Sequence, residues 1–577
     1  MPIINPGNLG DSIPPHGKRS QVLRRYVKLE NDRSSWRNHW MEISDYIHHR
    51  RGRYLFQTQD DRGKKRTGKI IDSTATQALR TMAAGMMTGM TSPARPWFRF
   101  ATPDEGQMDK HDVKVWLSEV ERIVRSILQK SNFYNSAFTV YGELGAFGTA
   151  PLYRQKNTDS VIRFRPFTAG EYVIAEDDRG VVDTLGRSFT MTVSQVVEKF
   201  VIGSQHGVDD WTGVSRATRN LWNQKNYDTL VPIIHLIEPR RKAERTKPFN
   251  RDSMRFKSVY MEQGAENDEV LFEGGFNRFP AYIPRWDVLG GDVYGRCPGM
   301  DTLGDVKQLQ QQQKRKAQAI DKMVNPPMTA PTSLRGKPSS VLPGGTTYVD
   351  PLQGGQGFAP AYLVQPRLSE MLGDIAEVQE RIQRGFYADL FAMMINSDRR
   401  DITATEVAVR QEEKLVLLGP VLQRLNTELL DPLLDDVFQF ALEAGFLPDP
   451  PEALGGVELR VEYISLLAQA QQAVAASALE RTMGFTGNMV AVFPEASDNV
   501  DPDQAIRQYA EILGNAPDLM RDSAQVAQIR SDRLQAQQAQ AAAAAVPQAA
   551  QSAKVLSETD TQNPNALTEL LGRGASV

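Results

Sequence analysis

The stretch GDVKQLQQQQKRKAQAIDKMV, residues 304–324, is made of helix-forming residues but has no apolar stripe wide enough to bury. It follows YGRCPGMDTL and ends at Asn325-Pro326-Pro327, where proline stops a helix. A helix that is polar nearly all round either crosses solvent or packs laterally against copies of itself. Two placements therefore stay open: an exposed helix in a monomer, or one helix of a ring of subunits that encloses a channel.

The residues that follow this helix predict a projection that returns to its starting point. Residues 326–366 hold eight Pro and six Gly among short strand-like pieces, which predicts a small module dominated by turns. Apolar residues then recur at helical spacing from Leu368 to Leu390. Two long helices joined by a small module form an antiparallel pair.

A very long helical pattern begins after the breaker MMINSDRRD, residues 393–401, and runs from Thr403 to about Ala444. Gly419-Pro420 and Pro432 interrupt it, and each is expected to kink the helix, because proline removes a hydrogen-bond donor and clashes with the preceding turn. The C-terminal part is helical to about residue 545, with an Ala/Gln-rich end.

The first half of the chain mixes the two periodicities. Apolar residues at helical spacing mark residues 22–48, 73–91 and 111–131. From Pro151 the pattern changes to strands, with a turn at 177–180, a capping box of Thr192 and Gln195 before a short helix, and a hairpin at 256–272. The sequence therefore predicts an α+β fold.

Composition excludes several classes of protein. The single cysteine, Cys297, rules out an intramolecular disulfide framework and a multi-cysteine metal site. No stretch has the roughly 18 apolar residues of a membrane span, and no apolar segment of a signal peptide is present, so no membrane association is expected. Residues 401–577 hold 11 Lys and Arg against 25 Asp and Glu, whereas residues 1–400 hold 56 against 45. Such a split is typical of a chain whose parts meet different partners, but solvated surface of either sign explains it too.

Catalytic motifs are weak. Residues 63–69, GKKRTGK, match the phosphate-loop pattern until Ile70 stands where a Ser or Thr should bind Mg²⁺, and no buried strand leads directly into them. The histidines include no HExxH pair, and no nucleophile motif is present. We therefore predict no enzyme, no cofactor and no metal. A nucleic-acid-stimulated NTPase that uses the degenerate loop is kept as an alternative.

An ordered set of stretches resembles a known family. TSPARPWFRF at 91–100, HLIEPRR at 235–241, YGRCPGMDTLGDVKQL at 294–309 and residues 402–438 are similar to the portal, or head-to-tail connector, proteins of short-tailed bacteriophages. VEYISLLAQAQ at 461–471 fits the same pattern. Each stretch alone is weak, but their order over residues 20–530 is specific. A tail adaptor or an internal scaffold is the remaining alternative.

The resemblance implies the anatomy of a portal subunit. The implied segments are a flexible N-terminus (1–20), an α+β wing (21–298), stem helix 1 (299–325), a clip with β structure (326–366), stem helix 2 (367–391), a channel loop (392–402), a long kinked helix of the wing (403–446), a helical crown (447–545) and a disordered tail (546–577). The kinks fall at Gly419, Pro420 and Pro432.

The family's role is implied with it. The expected assembly is a ring, usually of twelve subunits, at one capsid vertex of the virion, formed in the host cytoplasm. Double-stranded DNA passes through it during packaging and ejection, and its expected partners are terminase, a tail adaptor, and the major capsid and scaffolding proteins. Candidate DNA-channel residues are Lys307, Lys314, Arg315, Lys316, Lys322, Met393, Met394, Asn396, Arg399 and Arg400. Candidate clip residues for partner binding are Leu334, Arg335, Lys337, Tyr348 and Tyr362.

Overall fold

The structure is a computed structural model of the chain, and its description covers most of the sequence. The described residues are 17–55, 68–108, 110–157, 159–202, 209–241, 253–265, 269–329, 332, 335, 359–360, 367–395, 418–454, 459–464, 466–512 and 519–558. The chain divides into two compact units. The first comprises residues 1–100, 119–449 and 460–471, and the second comprises residues 101–118, 450–459 and 472–577.

Helices and strands alternate along the chain, which confirms the mixed fold. The α-helices are α1 (Lys18–Asp32), α2 (Ser34–Tyr46), α3 (Thr74–Met90), α4 (Glu105–Met108), α5 (His111–Lys130), α6 (Phe133–Phe147), α7 (Val193–Val197), α8 (Arg216–Asn223), α9 (Pro298–Asp301), α10 (Leu303–Val324), α11 (Leu368–Gly385), α12 (Ala388–Ile395), α13 (418–425), α14 (Asp431–Glu443), α15 (Leu466–Val492), α16 (Pro502–Ile512) and α17 (Ser523–Glu558). The strands are β1 (Phe98–Ala101), β2 (Leu152–Asn157), β3 (Val161–Pro166), β4 (Tyr172–Glu176), β5 (Val182–Thr192), β6 (Leu230–Pro239), β7 (Phe256–Glu262), β8 (Phe272–Phe276), β9 (Ala281–Tyr282), β10 (Met328–Thr329), β11 (Ala359–Pro360) and β12 (Arg460–Tyr463).

A five-stranded antiparallel sheet in the order β4-β5-β6-β7-β8 forms the β part of the first unit. Alternate residues of its strands face opposite sides. On one face, Ile234, Leu236 and Val259 pack with apolar residues of α1. On the other face, Ile233 and Tyr260 pack with α7 and the π-helical segment Glu198–Ile202. The predicted capping box of Thr192 and Gln195 is confirmed at the start of α7.

Three smaller ladders complete the sheets. Strands β3, β2 and β9 form a three-stranded antiparallel sheet. Strand β1 pairs with β12. Strand β10 pairs with β11, and each contributes two residues to that ladder. The β10–β11 ladder joins the two ends of the predicted clip, because Met328 lies opposite Pro360 and Thr329 opposite Ala359.

Several helix boundaries differ from those that periodicity predicts. The first helical pattern breaks at Arg33, whose guanidinium donates to the carbonyls of Gly170 and Tyr172 and so fixes the corner between α1 and α2. The helix predicted over 367–391 is two helices, because Tyr387 adopts a left-handed φ of 55°. The predicted channel loop at 392–402 therefore begins inside α12, which extends to Ile395.

The turn between α11 and α12 is a site of close packing. A Cβ on Gly385 would lie 2.2 Å from Cγ2 of Thr302, and one on Gly85 would lie 2.3 Å from the side chain of Phe391. Helix α12 packs on α3 at this point. A Cβ at either position therefore forces the neighbouring side chain to move.

The second unit is mainly helical. Helix α17 continues to Glu558, beyond the boundary predicted at residue 545, since alanine and glutamine are good helix formers. Arg530 forms a two-point ion pair with Asp503, at 2.6 and 2.7 Å, which ties α17 to α16. In the part of the chain that the structure describes, no helix combines the length and apolarity needed to cross a bilayer.

Candidate functional site: the helices α10 and α11

Helices α10 and α11, the predicted stem helices, pack against each other in opposite directions. Both bury apolar residues in their adjoining portions: Leu303, Val306 and Leu309 on α10, and Ile375, Val378 and Ile382 on α11. Polar pairs flank this seam. Gln312 Nε2 donates to Asp374 Oδ2 at 2.5 Å, and Arg381 lies 3.4 Å from Asp305.

Gln310 is the most deeply buried polar residue of α10, with 5% of its surface exposed. Its Oε1 accepts from the backbone N–H groups of Ile71, at 2.7 Å, and Asp72, at 2.9 Å. Its Nε2 donates to the carbonyl of Asp72 at 2.9 Å. One side chain therefore makes all three bonds to the backbone that leads into α3.

The carboxylate of Asp72 joins three helices at the same place. Its Oδ2 accepts from Nε2 of Gln313 on α10 and of Gln379 on α11, each at 2.8 Å. Its Oδ1 accepts from the N–H and hydroxyl of Thr74 at the start of α3. Burial works to raise the pKa of Asp72, but hydrogen bonds from Thr74, Gln379 and Gln313 outweigh it, so the pKa is lowered. We call Asp72, Gln310, Gln313 and Gln379 the Asp72 junction.

These contacts correct the first interpretation of the glutamine run. Three of the four residues 310–313 donate their side-chain amide to an acceptor of the same chain, and only Gln311 of the run is both exposed and outside these bonds. The first half of α10 also buries apolar residues, so its polarity does not leave it without a packing face. The polar residues fix the root of the helix pair, which is the end that lies next to the start of α3.

Lys307 is a paired cation. Its Nζ lies 2.8 Å from Glu42 of α2 and 5.9 Å from the centroid of the Tyr46 ring. Lys69, the lysine of the degenerate phosphate loop, is 2.6 Å from Asp45 and 5.7 Å from the same ring. The loop residues before Gly68 lie outside the described residues. Lys69 at the described end of the loop therefore forms an ion pair with Asp45.

The other candidate cations of α10 lie farther along the helix. Lys314, Arg315 and Lys322 are exposed and Lys316 is half-buried. No carboxylate among the described residues lies within 4.0 Å of these four. The structure therefore distinguishes Lys307, which forms an ion pair with α2, from four cations that have no such partner among the described residues.

The remaining candidate residues are only partly covered by the structure. Met393 and Met394 lie on α12, close to its end, whereas Asn396, Arg399 and Arg400 lie outside the described residues. Of the clip candidates, Arg335 is exposed and donates its backbone N–H to the carbonyl of Thr332. Leu334, Lys337, Tyr348 and Tyr362 lie outside the described residues. Their roles stay predictions.

The predicted helix kinks lie near an irregular segment. Gly419 and Pro420 fall in the first turn of the described part of the helix, and Pro432 in the first turn of α14. Between them, Asn426–Leu430 is π-helical. This segment carries Glu428, which accepts from the backbone N–H and guanidinium of Arg285. Pro432 has no backbone N–H to donate to the preceding turn. The π-helical turn just before it is consistent with this missing hydrogen bond.

No sequence pattern predicts the Asp72 junction. Asp72 and Gln310 are 238 residues apart, and neither belongs to a recognisable motif. Metal ligation has no support among the described residues, where no group of three His, Cys, Asp or Glu could hold an ion.

Comparisons with known proteins identify the family. Residues 19–520 match the family described as bacteriophage head to tail connecting protein. The chain is 43% identical over 555 residues to the portal protein of Salmonella phage epsilon15, an alignment that covers 96% of this chain and 98% of the relative. It is 45% identical over 553 residues to the probable portal protein of Bordetella phage BPP-1, with the same coverage.

Solved structures are more distant. The neck of an empty gene transfer agent (GTA) particle aligns at 11% identity over 72% of this chain and 86% of its own, with a TM-score of 0.32, which is too low to add to the assignment. The sequence relatives carry it instead, since they match nearly from end to end. This chain belongs to the family of bacteriophage head-to-tail connecting proteins and is a portal protein.

Proposed function

We propose that this chain acts as a non-enzymatic DNA conduit: a ring, expected to hold twelve copies, at one vertex of the virion capsid. The observation that carries the proposal is the match to two phage portal proteins over 96% of the chain. Double-stranded DNA enters through the ring during packaging and leaves through it during ejection. The ring assembles in the host cytoplasm.

Exposed apolar residues at the far end of the helix pair support assembly. Val324 is 81% exposed, Leu372 52%, Met323 46% and Ile320 41%. Near the Asp72 junction the same two helices bury their apolar residues within the chain. An apolar patch on an otherwise polar pair is typical of a surface that another chain covers. Here the partner is a neighbouring copy.

The charges of α10 suit contact with DNA that must keep moving. Each neutralised phosphate releases counterions, so affinity rises steeply with the number of cations. Among the described residues no carboxylate pairs with Lys314, Arg315, Lys316 or Lys322, whereas Lys307 is paired, so the distal part of the helix carries four such cations per copy. Arg399 and Arg400, in the predicted channel loop, add two more. An acidic crown would discourage DNA from sticking beyond the channel.

The partners follow from the predicted anatomy. The segment between α10 and α11, closed at its base by the β10–β11 ladder, is the proposed clip, which binds terminase during packaging and a tail adaptor afterwards. The wing and crown face the major capsid and scaffolding proteins.

The ring is tested by comparing two valine variants of the full chain. Val324→Asp and Val181→Asp change exposed residues, so neither alters folding of the isolated chain by more than about 0.5 kcal/mol. We expect negative-stain images and native mass spectrometry to show rings for the wild type and Val181→Asp, and unassembled chains for Val324→Asp. Unassembled wild-type chains at every salt concentration would contradict the proposal.

The conduit is tested separately by Arg399→Ala/Arg400→Ala. We expect this variant to form normal rings but to package or retain DNA less well in a reconstituted packaging assay. Loss of rings would show instead that the two arginines lie between subunits.

A further inference from the structure

A cavity of about 760 Å³ opens on the face of the five-stranded sheet opposite α1. Its lining includes Ser258 and Tyr260 of β7, Lys199 of the π-helical segment, and Phe440 of α14. At about 30 Å³ for each water molecule, the space holds roughly 25 of them. Its described lining includes no residue of α10, α11 or the segment between them.

A row of paired residues lies directly beside the cavity on the same face of the sheet. Arg187 of β5 lies opposite His235 of β6, which lies opposite Tyr260 of β7. The His235 and Tyr260 rings stack at 3.8 Å, and His235 Nε2 is 2.9 Å from Oγ of Ser258. Ser258 and Tyr260, which line the cavity, are therefore direct neighbours of the buried His235, whereas Arg187 lies on the far side of that histidine and outside the lining.

Arg187 is a buried cation without a carboxylate. Only 4% of its surface is exposed, and no Asp or Glu of the described chain lies within 4.0 Å of its guanidinium. Its Nε donates to His235 Nδ1 at 3.3 Å, and the rings of Phe189 and Phe167 lie 4.3 and 5.0 Å from Cζ. Its Nη1 is buried and has no hydrogen-bond partner. Burying a guanidinium nitrogen in this way costs free energy unless an acceptor binds it.

Two further cations lie close to Arg187. Partial burial lowers the pKa of Lys199, and Arg187 and Arg165 lower it further through charge repulsion. Lys199 has no carboxylate within 4.0 Å in the described part of the chain, and its Nζ lies 4.6 Å from the centroid of the Tyr260 ring. Among the described residues, the carboxylate that contacts this group of cations is Glu171, 3.4 Å from Arg165. Three cations and one anion leave an excess of two positive charges.

The carboxylates of the cavity do not offset this excess, because they already have partners. Asp436 lies 2.6 Å from Nε of Arg154, and its other oxygen lies 3.6 Å from Arg278. Glu443 lies 2.5 Å from Lys156. On the α14 side of the cavity three cations therefore share two carboxylates, whereas Lys199 on the sheet side has no carboxylate within 4.0 Å among the described residues.

We propose that this cavity, whose described lining holds four cations and two carboxylates, is an oxyanion-binding site in which Lys199 receives a carboxylate or phosphate group, while the buried Arg187, outside the lining, adds to the positive potential. Lys199 remains accessible from solvent, so the group reaches it through the open cavity. The rings of Phe200 and Tyr260 beside Lys199 lower the local dielectric constant, which strengthens the attraction between the charges. Ser258 and Tyr260 add hydroxyl donors at the base.

Two sources of the oxyanion are distinguished by experiment. One is free phosphate ion. The other is an acidic side chain of a neighbouring copy, whose residues 401–577 carry 25 Asp and Glu against 11 Lys and Arg. The second source rests on the proposed ring, whereas the first is independent of it.

The test uses the full chain and three variants of two lysines. Lys199→Met removes the uncompensated cation, and Lys156→Met is the matched control, since it removes a cation of the same cavity that is already paired with Glu443. Lys199→Glu places a carboxylate beside Arg187 and Arg165, and so supplies an internal oxyanion. Lys199 is exposed, so these changes leave the core intact.

Thermal unfolding is measured in inorganic phosphate and in chloride at equal ionic strength. If phosphate is the ligand, it raises Tm of the wild type and Lys156→Met by about 1 to 3 °C and leaves both Lys199 variants unchanged. If a neighbouring carboxylate is the ligand, phosphate has no effect, and rings of Lys199→Met dissociate at lower salt than rings of Lys156→Met. In either case Lys199→Glu has a higher Tm in chloride than Lys199→Met. The proposal is overturned if Lys199→Met matches Lys156→Met in both assays, or if Lys199→Glu is no more stable than Lys199→Met.

Discussion

Replacing Gln310 by methionine removes the hydrogen bonds of the Asp72 junction to the backbone while keeping the volume of the side chain. The glutamine makes three bonds of 2.7 to 2.9 Å to Ile71 and Asp72. Each bond contributes about 1 kcal/mol, and the methionine leaves the backbone groups of Ile71 and Asp72 without this partner. We therefore expect Gln310→Met to weaken the local structure by about 3 kcal/mol.

Hydrogen exchange gives the most direct measurement of this loss. The backbone N–H groups of Ile71 and Asp72 donate to Gln310, so their protection depends on this side chain. A loss of about 3 kcal/mol corresponds to roughly a hundredfold faster exchange in a peptide that covers residues 68–76. The effect is local, because α10 still packs on α11 and α3 still packs on α6 and α12.

Gln311→Met is the matched control. Gln311 is the next residue of the same run and is exposed, so its replacement should leave exchange at 68–76 within twofold of the wild type. Equal exchange in the two variants would refute the idea that Gln310 holds α10 to the start of α3.

Three further predictions concern the first unit. The thiol of Cys297 is buried, and burial raises its pKa to about 12. We therefore expect no reaction with a thiol reagent at pH 8 in the native protein and one reacted thiol per chain in denaturant. Rapid labelling of the native protein would contradict this burial. Burial raises the pKa of Glu143 from 4.5 to about 7, so its contribution to stability is full below pH 4.5 and is lost as the pH rises through 7. As the pH rises from 5 to 8, the stability of Glu143→Gln relative to the wild type should therefore increase by up to about 3 kcal/mol, measured from urea midpoints. A stability difference that does not change with pH would disprove the raised pKa of Glu143. Gly85→Ala should lower the free energy of unfolding by about 1 to 3 kcal/mol, because a Cβ there meets Phe391. Gly373→Ala, on an open face of α11, should raise it by up to about 1 kcal/mol. Thermal melts that rank the two variants in the opposite order would show that α12 does not pack on α3 as described.

The Asp72 junction bears on how the helix pair works. The roots of α10 and α11 are joined to α3 by buried side chains and by one carboxylate, whereas their distal ends expose apolar residues and cations. A firm root and an open distal end suit helices that carry partner-binding residues away from the body of the subunit.

Much of the fold follows from local patterns in the sequence. The alternation of periods predicted helices, strands and their order, and the capping box at Thr192 was correct to the residue. These features depend on neighbours within about four positions, so the sequence contains all the information that they need. The order of family-like stretches was sufficient to indicate a portal protein, which the comparisons confirm.

The tertiary structure decided what the polar residues do. The sequence shows that residues 310–313 are glutamines, but only the fold brings Gln310 to Asp72. Only the fold pairs Lys307 with Glu42 and leaves Lys314 with no carboxylate within 4.0 Å among the described residues. The same holds for Arg187, which looks like any strand arginine until the sheet buries it without a carboxylate. A hydrogen bond or an uncompensated charge is a property of atoms that meet across hundreds of residues, and periodicity along the chain contains no record of which residues meet.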